Sequence, residues 1–390
     1  MSQKRLAAIV GVGDVELENG KVPGGLSVLQ IQAIAAKRAL EDAGLKKDDV
    51  DGFFSAGFWG IPGNGLFPTL SVAEYLGIQP KFTDSTQIGG SSFEAHVGHA
   101  VAAIQAGLCE VALIVYGSTQ RSGVRQGGGG NIQAEYMSQY ETPYGLPLPV
   151  GSYALAAQRH MYQYGTTSEQ LAEIAVATRK WAQLNPAATM REPITIEDVL
   201  QSPMISSPLH KLDCCLVTDG AGAIVVVSPE RARDCRKRPI WVLGHGEAHS
   251  HMTIQSMPDL TITSAVESGK AAFEMAGVTH DDIDVVEVYD SFTITVLLTL
   301  ESLGFCKPGE GGDFVSNQRT APGGDFPLNT NGGGLSYAHP GMYGIFLLIE
   351  AVRQLRHECG ERQVEDAQLA LVCGTGGYLA STAVCILGRD

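Results

Sequence analysis

The chain contains no run of about 20 consecutive apolar residues, the length a membrane-crossing helix needs, so no span is expected. Positive charge is scarce: 27 Lys and Arg stand against 42 Asp and Glu, a formal net charge of −15. Without a basic stripe to neutralise phosphates, nucleic acid is excluded as a partner. An anionic substrate would need a local basic site or a helix N-terminus. The eight cysteines are scattered with no Cys-x-x-Cys spacing, which excludes a disulfide framework and a zinc-ribbon site and fits reduced thiols. The opening Met-Ser-Gln-Lys-Arg leads into a short strand rather than the apolar core of a signal peptide, so a cytoplasmic protein is expected. With 44% hydrophobic and 18% charged residues over 390 positions, the composition is that of a compact enzyme large enough for two packed units.

What is present is a duplication. Residues 39–51 (Ala39 to Asp51) return without a gap as residues 272–284 (Ala272 to Asp284). Each copy reads as the end of an amphipathic helix, a Gly C-cap (Gly44, Gly277) and an Asp-Asp turn running into an apolar strand. Two copies so far apart are two halves of a duplicated α/β fold, not a solenoid. The first half reads as strands Leu6–Val12, Val50–Ser55, Phe82–Ile88, Val111–Tyr116 and Ala221–Val227, with helices between them. The second reads as strands Pro239–Leu243, one after the repeated helix, one up to Asn329, Leu369–Cys373 and Thr382–Leu387. Helices are expected at Asp290–Leu303 and Met342–Arg356. This alternation predicts a largely parallel sheet with ligands beyond the carboxyl ends of its strands. The stretch from about 118 to 208 breaks the rhythm with Gly and Pro clusters and two long helices, the second opened by a capping-box-like Ser168; it reads as an insertion. The expected division is 1–237 and 238–390, with the insertion in the first part.

Four loops are rich in Gly and in residues able to do chemistry: Gln87 to Phe93, Tyr289-Asp290-Ser291-Phe292, Gly334 to Gly341, and Cys373-Gly374-Thr375-Gly376-Gly377. Together with the duplication, they resemble the thiolase superfamily, specifically the sterol-carrier-protein type, over essentially the whole chain. That resemblance implies two βαβαβαββ halves in a five-layer αβαβα sandwich. In the family one loop carries a Cys nucleophile, a His-Asp-Cys-Phe type loop an oxyanion partner, a Gly-His-Pro loop the catalytic His, and a Cys-x-Gly loop an acid/base Cys. Matched residue by residue, His339 before Pro340-Gly341 takes the catalytic His position, although Ala338 replaces the preceding Gly. Cys373 takes the acid/base position, and Tyr289 stands where the family has His or Asn. Gly90, Ser91, Asp290, Tyr337 and Gly376 are expected to line the substrate. The nucleophile is missing: Gly90 falls at its position, and Ile88–Phe93 contains no cysteine.

A chain without that thiolate cannot park an acyl group on sulfur. The resemblance therefore implies enolate chemistry on an acyl-CoA without an acyl-enzyme, with coenzyme A as substrate or product and no tightly bound cofactor. Relatives sharing the Tyr-Asp-x-Phe loop cleave β-hydroxyacyl-CoA by retro-aldol reaction but depart at the positions of His339 and Cys373. Retention of both directs the reading to Claisen-type cleavage of a β-oxoacyl-CoA, with retro-aldol cleavage and a non-catalytic acyl-CoA-binding subunit as alternatives. A place in lipid or aromatic-acid degradation, a homodimer paired through the first halves, and a small zinc-ribbon/oligonucleotide-binding-fold partner protein are implied as well.

Several features have plainer readings. Ser91 and Ser92 suit a helix N-cap, and Cys214-Cys215 suits packing. His96 and His99 lie one turn apart without an evident third ligand, so no metal site is expected. The Gly127–Gly130 run lacks the Lys-Ser/Thr of a phosphate loop and reads as a lid or partner surface. The proline-spaced apolar segment Glu141–Val150 suits either partner docking or the substrate tunnel. Strand Val111–Tyr116 reads as an edge that needs cover.

Overall fold

The computed structural model describes residues 5–57, 67–123, 135–147 and 149–389. The Gly127–Gly130 run, and Leu148 within the proline-spaced segment, lie outside them. The strands are β1 (Ala7–Asp14), β2 (Gly52–Ser55), β3 (Phe82–Asp84), β4 (Val111–Ser118), β5 (Met204–Ser206), β6 (Leu209–His210), β7 (Gly220–Val227), β8 (Ile240–His249), β9 (Val285–Val288), β10 (Leu369–Gly376) and β11 (Ser381–Gly388). The helices of the first half and its insertion are α1 (Val28–Ala43), α2 (Pro68–Leu76), α3 (Ser92–Gln105), α4 (Gln120–Gly123), α5 (Glu135–Tyr140), α6 (Val150–Tyr164), α7 (Ser168–Gln183) and α8 (Ile196–Gln201). Those of the second are α9 (Ala265–Ala276), α10 (Thr293–Leu303), α11 (Gly311–Val315) and α12 (Gly344–Leu355).

Nine strands form one sheet in the order β3-β2-β4-β7-β1-β8-β11-β10-β9, joined across the halves where Ala7–Ile9 pairs with Ile240–Val242. Read outward from that seam, the halves match strand for strand, and Leu328 bridges Val286 where β3 stands in the first half. Helices α3 and α12 lie between the halves and pack on strands of both, while α1 covers one outer face and α9 the other. These are the five layers.

The repeated segments have a structural reason. A Cβ on Gly11 would lie 2.1 Å from the Ala39 carbonyl oxygen, and one on Gly244 would lie 2.2 Å from that of Ala272. Each repeat therefore begins where a helix presses on a strand glycine. Each then turns at a left-handed Gly, with φ of 75° at Gly44 and 67° at Gly277. Each ends on a carboxylate that ties the next strand down. Asp51 accepts the N–H groups of Glu110 and Val111 at 2.9 Å, and Asp284 those of Gln368 and Leu369 at 2.8 and 2.9 Å.

Several expectations are corrected. The sheet is mixed: β2–β3, β2–β4 and β9–β10 are parallel, and the other pairings are antiparallel. The last strand of each half returns antiparallel beside its neighbour, β7 after the insertion and β11 after only the Gly377–Ala380 turn. Strand β4 is no edge, because β2 and β7 flank it; β3 is the edge of the first half. That strand stops at Asp84, whose carboxylate accepts from the Thr86 N–H and hydroxyl at 2.7 Å and turns the chain aside. The strand expected up to Asn329 is reduced to the Leu328 bridge, and α10 begins at Thr293 because Asp290 is held elsewhere. The capping box of α7 is formed by Thr167 with Gln170, one residue before Ser168. Within the insertion, α7 lies over the loops of the second half: Trp181 donates to Thr320 O, Arg179 to Ser336 Oγ and Asn185 to Asn331 O, each at 2.8 Å. No helix among the described residues is long and apolar enough to cross a membrane.

Asp51→Ala and Asp284→Ala should each destabilise the fold by about 1–3 kcal/mol, the usual consequence of leaving backbone donors unmet. Urea unfolding of the two variants beside the parent checks it, and equal effects are expected because the two sites are equivalent.

Candidate active site

The four loops meet around Tyr289, which follows β9 and donates its backbone N–H to Cys373 O at 3.0 Å. Its hydroxyl oxygen lies 2.8 Å from His339 Nε2 and accepts the N–H of Tyr343 at 3.2 Å. The histidine is held from behind, its N–H donating to Thr218 Oγ1 at 2.9 Å and its carbonyl accepting from Thr218 N–H at 3.2 Å. Tyr116 steadies the same loop by donating to Pro340 O and accepting from Met342 N–H. Burial pushes His339 down to about 4 and raises the Tyr289 phenol well above its ordinary value, so both are neutral at physiological pH. With the tyrosine proton in the shared bond, Nε2 is the acceptor and Nδ1 carries the ring hydrogen. This pair can take a proton from a substrate hydroxyl on Tyr289 and pass one on to His339.

Two glycines define what surrounds the pair. A Cβ on Gly90 would lie 2.1 Å from Tyr289 Cε2, so the phenol ring fills the space that a side chain at position 90 would need. A Cβ on Gly374 would lie 2.1 Å from Glu94 Oε2. Glu94 is on the first turn of α3, is 0% exposed, and neither carboxyl oxygen has a hydrogen-bond partner among the described residues. Burial pushes it up to about 8.

Cys373 is not with them. Side chains alternate faces along a strand, and Cys373 packs with Leu371, Val286 and Val288 in one core, whereas Tyr289, Val372 and Tyr343 belong to the other. Burial, with Glu94 adding to it, pushes its thiol far above the ordinary range. Gly374, the next residue along β10, takes the inward-facing position instead. The expectation that Cys373 works beside His339 is therefore corrected: a one-residue offset in a strand places a side chain on the opposite face.

The other expected residues make contacts within the protein. The Asp290 carboxylate accepts the N–H groups of Gly334 and Leu335 at 2.6 and 3.1 Å and clamps the histidine loop; burial raises it to about 7. The Ser91 hydroxyl is 2.6 Å from that of Ser381 and donates to Ile88 O. Gly376 permits close approach, since a Cβ there would lie 1.7 Å from Ile88 O. The Tyr337 hydroxyl turns to Asp14, 3.2 Å away, and lines a separate cavity of about 210 Å³ with Arg353 and Glu350. Both nitrogens of His99 face acids, Asp84 at 2.6 Å and Glu247 at 3.2 Å, while His96 Nε2 donates to Thr86 O. Sequence reasoning missed Glu94, Tyr343, Thr218 and Tyr116. Only Glu94 left a signal, as an acid within an apolar helix one turn after Gly90.

Comparison with known proteins identifies the family. Residues 9–230 match the family model described as thiolase, N-terminal domain, and residues 246–389 that described as thiolase C-terminal domain-like. A steroid side-chain-cleaving aldolase of Thermomonospora curvata is 37% identical over 98% of both chains. An acetyl-CoA acetyltransferase of Methanothermobacter thermautotrophicus is 34% identical over 90% of this chain and 92% of its own. The solved Ltp2–ChsH2(DUF35) aldolase superposes with a TM-score of 0.88 at 35% identity over 98% of both chains.

The hydrogen bonds that His99 donates to Asp84 and Glu247 push it up to about 10, so its ring should not titrate between pH 6 and 8.5 by NMR. Because that value is raised, the stabilisation is complete below the free value of 6.5 and fades as pH rises through about 10. Cys373 should resist iodoacetamide at pH 8 in the folded protein, and rapid alkylation would contradict its burial.

Proposed function

Because this chain belongs to the thiolase family, we propose that it breaks a carbon–carbon bond in a CoA thioester, by retro-aldol cleavage of a β-hydroxyacyl-CoA. The observation that carries this reading is the Tyr289–His339 pair with the phenol ring occupying the place of a side chain at position 90. With Gly90 there, and with the Ser91 hydroxyl committed to Ser381 and Ile88, neither position is poised to hold an acyl chain covalently. In the proposed reaction the β-hydroxyl proton moves to Tyr289 Oη as the Tyr289 proton passes to His339 Nε2. The Cα–Cβ bond then breaks, its electrons passing to the thioester as an enolate and the carbonyl fragment leaving.

The packing of Cys373 in the opposite core from Tyr289 weighs against Claisen cleavage, and the intact Tyr289–His339 pair weighs against a non-catalytic subunit. The aldolase relative, at 37% identity over nearly the full length, supports the same choice.

The proposed division is 1–237 and 238–390, with the insertion at about 118–208; one family model ends at 230 and the other begins at 246, which supports a boundary in that interval. For assembly, a homodimer would form through the open edge of β3 rather than through β4. The superposed aldolase is a complex of two named proteins, which supports a second polypeptide here, of the zinc-ribbon/oligonucleotide-binding-fold kind. Coenzyme A enters only as part of the substrate and product.

Tyr289→Phe and His339→Ala should each lower kcat/KM on a β-hydroxyacyl-CoA by roughly 10²–10⁴, the range for a lost acid–base group. Chromatography of products should show a shortened acyl-CoA and a free carbonyl compound. Intact-mass spectrometry of quenched reactions should find no acyl adduct at Ser91 or Ser92. An adduct, or turnover confined to β-oxoacyl-CoA with free CoA, would overturn the retro-aldol reading. Light scattering should give a dimer. Full turnover of the purified chain alone would remove the second polypeptide from the reaction.

A further inference from the structure

We propose that Glu94 is the acid of this site, delivering a proton to the α-carbon of the enolate left by carbon–carbon cleavage. This rests on the retro-aldol reading and adds the second half of its proton inventory.

The carboxyl group occupies a space kept open by two glycines. Oε2 would lie 2.1 Å from a Cβ on Gly374 and 2.5 Å from one on Gly344, so neither position can carry a side chain while Glu94 stays where it is. Gly344 opens α12 immediately after Tyr343, the residue whose N–H binds the Tyr289 hydroxyl. Gly90, one helical turn before Glu94, abuts the Tyr289 ring. The carboxyl group therefore shares the inner face of the sheet with the Tyr289–His339 pair.

Buried polar groups are nearly always hydrogen-bonded, and an exception calls for a reason. Asp290, an acid buried close by, meets that expectation through the Gly334 and Leu335 N–H groups. Glu94 does not: both oxygens are buried and unpartnered among the described residues. The titratable groups nearest it in effect are two thiols, Cys373 on β10 and Cys385 on β11, and no charged side chain contributes to its titration. Burial pushes it up to about 8, outweighing the lowering effect of its own backbone N–H, so at neutral pH it carries a proton that an ordinary carboxylate would have lost.

The step balances. Cleavage leaves the Cα–Cβ electron pair on the enolate; the Glu94 O–H bond breaks, its proton bonds to Cα, and the carboxylate remains. The proton that Tyr289–His339 took from the β-hydroxyl is released with the carbonyl product, and Glu94 regains one from solvent, so no net proton is consumed.

The test uses the full-length enzyme, with its second polypeptide if turnover requires one, on a 3-hydroxyacyl-CoA. A parallel reaction follows exchange of the α-protons of acetyl-CoA and propionyl-CoA in D₂O. Glu94→Gln should lose both cleavage and exchange by roughly 10²-fold or more, with an unchanged or higher melting temperature at pH 8. Glu94→Asp should recover part of each. The parent enzyme's kcat/KM should decline above about pH 8, as a required acid loses its proton. Cleavage by Glu94→Gln within threefold of the parent, with the same pH profile, would overturn the role of Glu94 alone. A parent enzyme inert in both reactions would overturn the retro-aldol reading and this step with it. If Glu94→Gln fails to fold, the parent's profile decides: a fall near pH 8 supports the proposal, and a flat profile to pH 9.5 overturns it.

Discussion

The contact between the Tyr289 ring and Gly90 governs the rest of the site. Because no Cβ fits at position 90 while the ring is in place, the head of α3 cannot present a nucleophile there. The same packing fixes the phenol so that its hydroxyl reaches His339 Nε2 and accepts the Tyr343 N–H. Asp290, next in the chain, ties down the loop that carries the histidine. On the proposed reading, a single aromatic ring thus removes one kind of chemistry and orients the groups for another.

Burial supplies the electrostatics. His339 is 8% and Tyr289 4% exposed, and withdrawal from water disfavours the charged form of each. A neutral imidazole at the end of a phenolic hydrogen bond is a base, whereas a protonated one would not be. The same withdrawal keeps a proton on Glu94. On the proposed mechanism, burial holds base and acid in their working forms near neutral pH.

The duplicated fold makes this possible. Helices α3 and α12 are buried between two copies of one sheet, so their first turns meet where the strand ends of both halves converge. Small residues allow the approach: Gly90 at the head of α3, Gly344 at the head of α12, and Gly374 and Gly376 on β10. The insertion closes over these loops through Trp181, Arg179 and Asn185. The molecule spends its glycines where chain must pass close to chain.

The sequence alone determined what local pattern can encode. The gapless repeat marked the two halves, its Gly44 and Gly277 caps and its Asp51 and Asp284 ties being short-range chemistry in each copy. The loops holding Gly90, Tyr289 and His339 were likewise legible, because residue types and spacing identify a loop. Strand direction was not, since antiparallel return beside a neighbour depends on where distant segments pack. Only the tertiary structure decided that Cys373 faces the opposite core, that Gly374 faces inward, and that Glu94 fills the space beside it. Along a strand one residue of register reverses the face, and no local signal states which face meets a helix 280 residues earlier in the chain, as Gly374 meets Glu94.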